Sequence, residues 1–319
     1  MISNFNIIVM VLSAVALFVY GLRSFSDEIK NINNHTFKRR LSKLTTNRYN
    51  AFVLGAAITA LIQSSNAVSA MTVAMVDAGV IGFQQSLAVL IGCNVGSTVT
   101  AWLLALRLEN IGPYFIVLGS IISMIPLRWN LYGKSIFYFG FILFSLSLFS
   151  EVLVSVQNES WLISLLKKSE NRVLGVLMGA AATIVLQSSS LVTGLVILGA
   201  AQHMLPIDGA ISIILGCNIG TTTTALLGAS KMGSAAKRTA TANVLFNAAG
   251  LLVFLPFTNA MSAFVQNLTD DIRFQVSYAY VFFNVITALM LLPFINRLSM
   301  WIWKQNPEAA SQNDAQLNS

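Results

Sequence analysis

Four clusters of uncharged polar residues lie inside long apolar stretches: Gln63-Ser64-Ser65-Asn66, Gln187-Ser188-Ser189-Ser190, Asn94 with Thr98, and Asn218 with Thr222. Hydroxyls, amides and the exposed N–H groups of a helix start can hydrogen-bond an oxyanion, and the helix dipole favours negative charge there. The oxygens of the same side chains, with freed backbone carbonyls, are hard ligands suited to Na⁺. No Lys, Arg, Asp or Glu lies within these clusters. A doubly charged anion buried among them is not neutralised by them, so opposite charge must arrive with it. This chemistry points to an anion carried with small cations. It does not point to an enzyme, because there is no metal-ligand spacing, no His–Glu pair and no carboxylate dyad in an apolar stretch. His35 sits in a basic segment and His203 at a turn before Pro206.

The clusters form two matched pairs. Gln63-Ser64-Ser65 recurs as Gln187-Ser188-Ser189, and Gly92-Cys93-Asn94-Val95-Gly96-Ser97-Thr98-Val99-Thr100-Ala101 as Gly216-Cys217-Asn218-Ile219-Gly220-Thr221-Thr222-Thr223-Thr224-Ala225. Asn47-Arg48 matches Asn171-Arg172, and Gly55-Ala56-Ala57 matches Gly179-Ala180-Ala181, always 124 positions on and without a gap. Chance similarity between apolar helices pairs Leu with Val, not Gln, Ser, Asn and Gly at one offset. The chain therefore carries an internal duplication, which in membranes is characteristic of secondary transporters.

The elements that position these residues are membrane helices. Only 10% of the 319 residues are charged and 55% are hydrophobic, against about 25% charged in a soluble protein. The net charge of +7 is spread between uncharged runs, which fits basic loops at an anionic leaflet and excludes nucleic acid as a partner. Cys93 and Cys217 lie in apolar stretches, so no disulfide framework is expected. A span needs roughly 20 apolar residues, which makes 5–22, 111–127, 132–155, 240–258 and 274–295 candidates; the longer uncharged regions 49–76 with 78–106 and 173–207 with 209–230 are interrupted by the polar clusters, and either cross throughout or cross only at 82–106 and 207–229. Glycines beside the clusters allow close backbone approach and leave breaks within the motif-bearing segments open.

The paired Gln-Ser-Ser-Asn and Gln-Ser-Ser-Ser segments, each followed by Gly-Cys-Asn-Val/Ile-Gly-Ser/Thr-Thr, resemble the type II sodium/phosphate cotransporter family over roughly residues 47–101 and 171–258. The run from Lys237-Arg238-Thr239 through Asn243 to Asn247 resembles the helix after the family's second repeat. The resemblance implies phosphate as substrate, Na⁺ as coupling ion, and two inverted repeats. Each repeat has a re-entrant Gln-Ser-Ser hairpin and a broken helix in an all-α polytopic membrane protein. It further implies that Ser64, Ser65, Asn66, Ser188, Ser189 and Ser190 hold phosphate, although Asn66 stands where the family usually has serine. Gln63 and Gln187 would brace the hairpins and offer oxygen to Na⁺. Asn94, Thr98, Asn218 and Thr222 would join sodium or phosphate coordination. The helix from about 111 to 127 lacks the acidic residue of electrogenic members, and only a short polar tail after Trp303 stands where a regulatory domain is common.

With re-entrant hairpins, residues 1–128 form one repeat and 129–258 the other. An extra span occupies 259–303 and a polar tail 304–319. An N-terminus outside puts fourteen of the nineteen Lys and Arg in the cytoplasm, among them those of 23–48, with the C-terminus. If both Gln-Ser-Ser segments crossed fully, sixteen would lie inside and the repeats would be parallel, so the inverted arrangement rests on the resemblance. The whole implies a Na⁺-coupled phosphate symporter of the cell membrane, in contact with lipid and with room for a homo-oligomer. Another oxyanion, proton coupling or a non-transporting scaffold are the alternatives. Asn243, Asn247 and Asn284 read as links between helices, and Asp77 and Asp208 as solvated turn residues.

Overall fold

A computed structural model describes residues 4–32, 47–106, 108–125, 130–157 and 159–304. His35, Arg107, Arg128 and the tail beyond Lys304 lie outside the described residues. All described secondary structure is helical: α1 (Asn4–Ile32), α2 (Arg48–Ile62), α3 (Ser65–Asp77), α4 (Phe83–Ala105), α5 (Gly112–Ser123), α6 (Asn130–Val156) and α7 (Ser160–Lys167). After these come α8 (Arg172–Leu186), α9 (Ser189–Ala201), α10 (Ile207–Ala229), α11 (Ser234–Phe254), α12 (Thr258–Leu268), α13 (Ile272–Leu291) and α14 (Ile295–Lys304).

Among the described residues, six segments are long and apolar enough to cross a membrane: Val9–Ile29, Phe83–Ala105, Tyr132–Ser155, Ile207–Ala229, Ser234–Leu268 and Ile272–Met300. Two departures from the sequence reading matter. The stretch expected to cross at 111–127 is only the 12-residue α5, about 18 Å long at 1.5 Å per residue, against a hydrocarbon core of about 30 Å. And α1 does not stop near residue 22 but runs on to Ile32. Its last turns are polar yet contain no helix breaker, so hydropathy sees an end where the helix continues.

The duplication is repeated in the backbone. The 15-residue α2 stops at Gln63, whose φ of 56° is left-handed, and Ser64 then caps the 13-residue α3. The 15-residue α8 stops at Gln187, with φ 50°, and Ser188 caps the 13-residue α9. Every one of these four pieces is too short to span by itself. The Gly-Cys-Asn motifs, by contrast, sit within the unbroken 23-residue helices α4 and α10. These two are the centre of the protein: 72% of each apolar window is buried, against 22% for α1.

Glycine explains how α2 and α4 approach so closely. A Cβ on Gly92 would lie 2.0 Å from the Phe52 carbonyl oxygen, and one on Gly55 would lie 2.2 Å from that of Val89. The duplicated positions behave alike, Gly216 against Val176 at 2.0 Å and Gly179 against Ile213 at 1.9 Å. Such contacts leave room for hydrogen only, so each motif-bearing pair is locked backbone to backbone. The glycines of the motif therefore serve packing, not helix breaking.

Two Leu-Pro-Phe turns complete the frame, at Leu255–Phe257 and Leu292–Phe294. Arg172 donates to the Pro256 carbonyl at 3.3 Å and Arg48 to that of Pro293 at 3.2 Å. Each duplicated Asn-Arg start is thus tied to a different proline turn. The span after residue 259 does for the first repeat what the end of α11 does for the second.

Candidate functional site

The polar clusters reach their site through the two left-handed glutamines. A non-glycine residue held in this conformation costs of order 1 kcal/mol, and both copies keep it. Each lets the chain turn so that the following helix starts in a cavity of about 310 Å³, whose wall includes Gln63 to Asn66 and Gln187 to Ser190.

The geometry at the two helix starts is nearly the same. Ser64 is extended, at φ −145° and ψ 92°, and its hydroxyl oxygen accepts from Ala67 N–H at 3.3 Å. Ser188, at φ −150° and ψ 99°, accepts from Leu191 N–H at 3.2 Å. A hydroxyl that accepts this bond still has its own proton to donate. The cap satisfies the third N–H of each helix. The N–H groups of Ser65 and Asn66, and of Ser189 and Ser190, have no carbonyl within the helix to bond. Two helix starts thus bring hydroxyls and backbone donors to one cavity, with the positive ends of both dipoles. That set can bind an oxyanion.

One bond joins the copies directly: Asn66 Nδ2 donates to the Gln187 carbonyl at 2.9 Å. The Asn66 Oδ1 is buried without a hydrogen-bond partner. The two glutamines differ. Gln63 is buried, accepts from the Thr100 hydroxyl at 2.7 Å and donates to the Ala60 carbonyl. Gln187 is exposed. Thr224, the duplicate of Thr100, lies on the cavity wall; the match of Thr100 with Thr224 was a legible signal for it.

The other four candidates stand apart from this wall. Thr98 and Thr222 are buried, each turned back on its own helix, to the Val95 and Ile219 carbonyls at 2.7 Å. Asn218 is buried with its Nδ2 unpartnered. Asn94 donates to Asn247 Oδ1 at 3.1 Å, and Asn247 donates to the Asn243 carbonyl at 2.9 Å, a polar ladder linking α4 to α11. Asn284 donates to the carbonyl of Tyr280, whose hydroxyl meets that of Ser97 at 3.0 Å. Asp77 and Asp208 both bond within the protein: Asp77 accepts from Gly233 N–H at 2.8 Å and Asp208 from the Ser262 hydroxyl. Among the described residues no group of three His, Cys, Asp or Glu could hold a metal ion.

The motifs are uncharged, but the cavity is not. Arg23, Ser26 and Asp27 of α1 form part of its wall. The sequence reading left Arg23 outside the first span because it ended that span at residue 22, with 23–48 either a surface helix or a basic loop. A signal was present upstream. Leu22, Phe25, Ser26 and Asp27 match Leu146, Phe149, Ser150 and Glu151 at the same 124-residue offset, so the duplication includes α1 and α6.

Comparison with known proteins gives a consistent result. A model described as Na⁺/Pi-cotransporter matches twice in succession, over residues 17–151 and 147–269. The Bacillus subtilis protein YqeW is 29% identical over 272 residues, covering 81% of this chain and 84% of its own. The Salmonella typhimurium protein named putative inorganic phosphate export protein YjbB is 27% identical over 264 residues, 82% of this chain but 48% of its own. The chain therefore spans about half the length of the YjbB relatives. A human protein named sodium-dependent phosphate transport protein 2C is 42% identical over 87 residues, 25% of this chain and 14% of its own. No solved structure matches the chain.

Proposed function

The chain belongs to the Na⁺/Pi-cotransporter family, and from that premise we propose that it is a sodium-coupled symporter of inorganic phosphate working by alternating access. The observation that carries the proposal is the pair of serine-capped helix starts in one cavity, supplied by both copies of the duplication. Phosphate sits between them. The hydroxyls of Ser64, Ser65, Ser188, Ser189 and Ser190 donate to its oxygens, as do the N–H groups at the starts of α3 and α9. Asn66 holds the two copies together through the Gln187 carbonyl and offers Oδ1 to a phosphate O–H.

Helix dipoles and hydroxyls soften the cost of burying the anion but supply no full positive charge, so Na⁺ travels with it. Gln63 and Gln187, Asn94, Thr98, Asn218 and Thr222 serve the sodium ions, with α4 and α10 as the rigid support. The pieces α2–α3 and α8–α9 enter the membrane without crossing it, while the segment around the short α5 completes the third crossing of the first repeat, so that residues 1–128 and 129–258 are inverted copies. The N-terminus is then outside, and residues 23–48 and the C-terminus cytoplasmic. Transport follows when the motif-bearing halves shift against the outer spans.

Uptake of labelled phosphate into liposomes carrying the purified protein tests this. Uptake should rise with an inward Na⁺ gradient and fall to background when K⁺ replaces Na⁺. Uptake indifferent to Na⁺ rejects the coupling, and no phosphate movement at all rejects the substrate. Net export is a second reading, favoured by the printed name of the YjbB relatives. It predicts efflux from phosphate-loaded vesicles without an inward sodium gradient.

A further inference from the structure

The site has a third wall that the Gln-Ser motifs do not supply. Val19, Leu22, Arg23, Ser26 and Asp27 of α1 all border the cavity, and their spacing of three and four residues places them on one face of a helix. Ser26 is only 3% exposed, and its hydroxyl has no hydrogen-bond partner. Burying a hydroxyl unpaired is costly, and serines within helices normally avoid it by donating to a carbonyl three or four residues back. Ser97, Ser145, Ser212 and Ser277 of this protein all do so, at 2.7 to 2.9 Å. Ser26 does not.

Its duplicate has a protein partner where Ser26 has none. Ser150, at the matching position of α6, accepts from Gln202 Nε2 at 3.2 Å. The residue matching Gln202 in the first copy is Ala78, which has no amide to offer. Ser26 is thus the copy without a protein partner and the one that faces the cavity. Arg23 lies one turn away on the same face, a cation beside donors already arranged for an anion.

We infer that Ser26 is a direct ligand of the transported oxyanion and that Arg23 supplies it with positive charge from the same helix. This inference rests on the cavity being the phosphate site. Ser26 donates its hydroxyl to a phosphate oxygen, completing a site enclosed by α1, α3 and α9. Arg23 and Asp27 together leave the wall formally neutral, so Arg23 assists the anion without replacing the need for sodium.

The test uses the full-length protein in liposomes, with labelled phosphate at fixed Na⁺. Ser26→Ala should raise KM by about tenfold or more, the range expected for losing a hydrogen bond to a charged partner. Ser26→Thr, which keeps the hydroxyl, should stay within a few-fold of wild type, and Arg23→Gln should raise KM while Arg23→Lys largely restores it. Melting in detergent separates folding from binding, because phosphate should shift the wild-type melting point and shift that of Ser26→Ala much less. A wild-type KM and phosphate-induced shift in Ser26→Ala would overturn the inference while leaving the phosphate reading intact. Failure of the wild type to bind or move phosphate would reject that reading instead.

Discussion

Ser188 performs two tasks that substitution can separate. Its oxygen caps α9 through Leu191 N–H at 3.2 Å, and the residue lies on the cavity wall. Alanine removes both functions. Loss of the cap costs about 1 kcal/mol. Loss of the O–H donated to an anion costs about 1.5–3 kcal/mol, roughly 12- to 150-fold in affinity. Aspartate removes only one of the two, since it is as good an N-cap as serine. It also places a negative charge where the anion binds. At about 4 Å and an effective dielectric of about 20, that repulsion is about 4 kcal/mol, a further loss of roughly a thousandfold. Ser188→Ala should therefore melt slightly below wild type and bind phosphate weakly. Ser188→Asp should melt at or near the wild-type temperature and bind none. Melting curves in detergent and phosphate titrations by calorimetry measure both quantities. A Ser188→Asp protein that binds phosphate within threefold of wild type would refute the assignment of this helix start to the anion.

Further substitutions probe the frame. Gly92→Ala and Gly216→Ala each place a Cβ 2.0 Å from a backbone oxygen. Each should lower stability by at least about 1–3 kcal/mol and impair transport more than a surface glycine such as Gly228 does when changed to alanine. Thr100→Val strips Gln63 Oε1 of its hydroxyl partner; with the amide buried, a loss of about 1–3 kcal/mol is expected, read as a lower melting point. Asn66→Ala removes the bond to the Gln187 carbonyl and should weaken phosphate binding more than Asn66→Ser, which restores a hydroxyl. Ser64→Ala with Ser188→Ala should suppress transport while the protein still elutes as a folded species from a sizing column.

The sequence revealed the duplication and the residues at both helix starts, because hydrogen-bonding side chains in a membrane are few and their recurrence at one offset is conspicuous. The family resemblance implied a hairpin at each Gln-Ser-Ser segment, and the helices do break at Gln63 and Gln187. The interruption the sequence left open in the Gly-Cys-Asn segments is absent, because Gly92 and Gly216 give up a side chain to admit Phe52 and Val176 rather than to end a helix. The role of α1 was hidden for a different reason. Arg23, Ser26 and Asp27 look like the start of a basic loop, and which face of a continuing helix meets a cavity is set by tertiary packing. The short α5 and the pairing of Arg48 and Arg172 with two proline turns were likewise invisible to hydropathy, although the recurrence of Leu-Pro-Phe was available to notice.

The central claim is that an oxyanion is held between the starts of α3 and α9. A structure determined experimentally with sodium and arsenate, the heavier analogue of phosphate located by its anomalous signal, tests this most directly. One tetrahedral anion is expected within hydrogen-bond distance of Ser64, Ser188 and Ser26. An anion bound elsewhere, with these hydroxyls turned away from it, would contradict it.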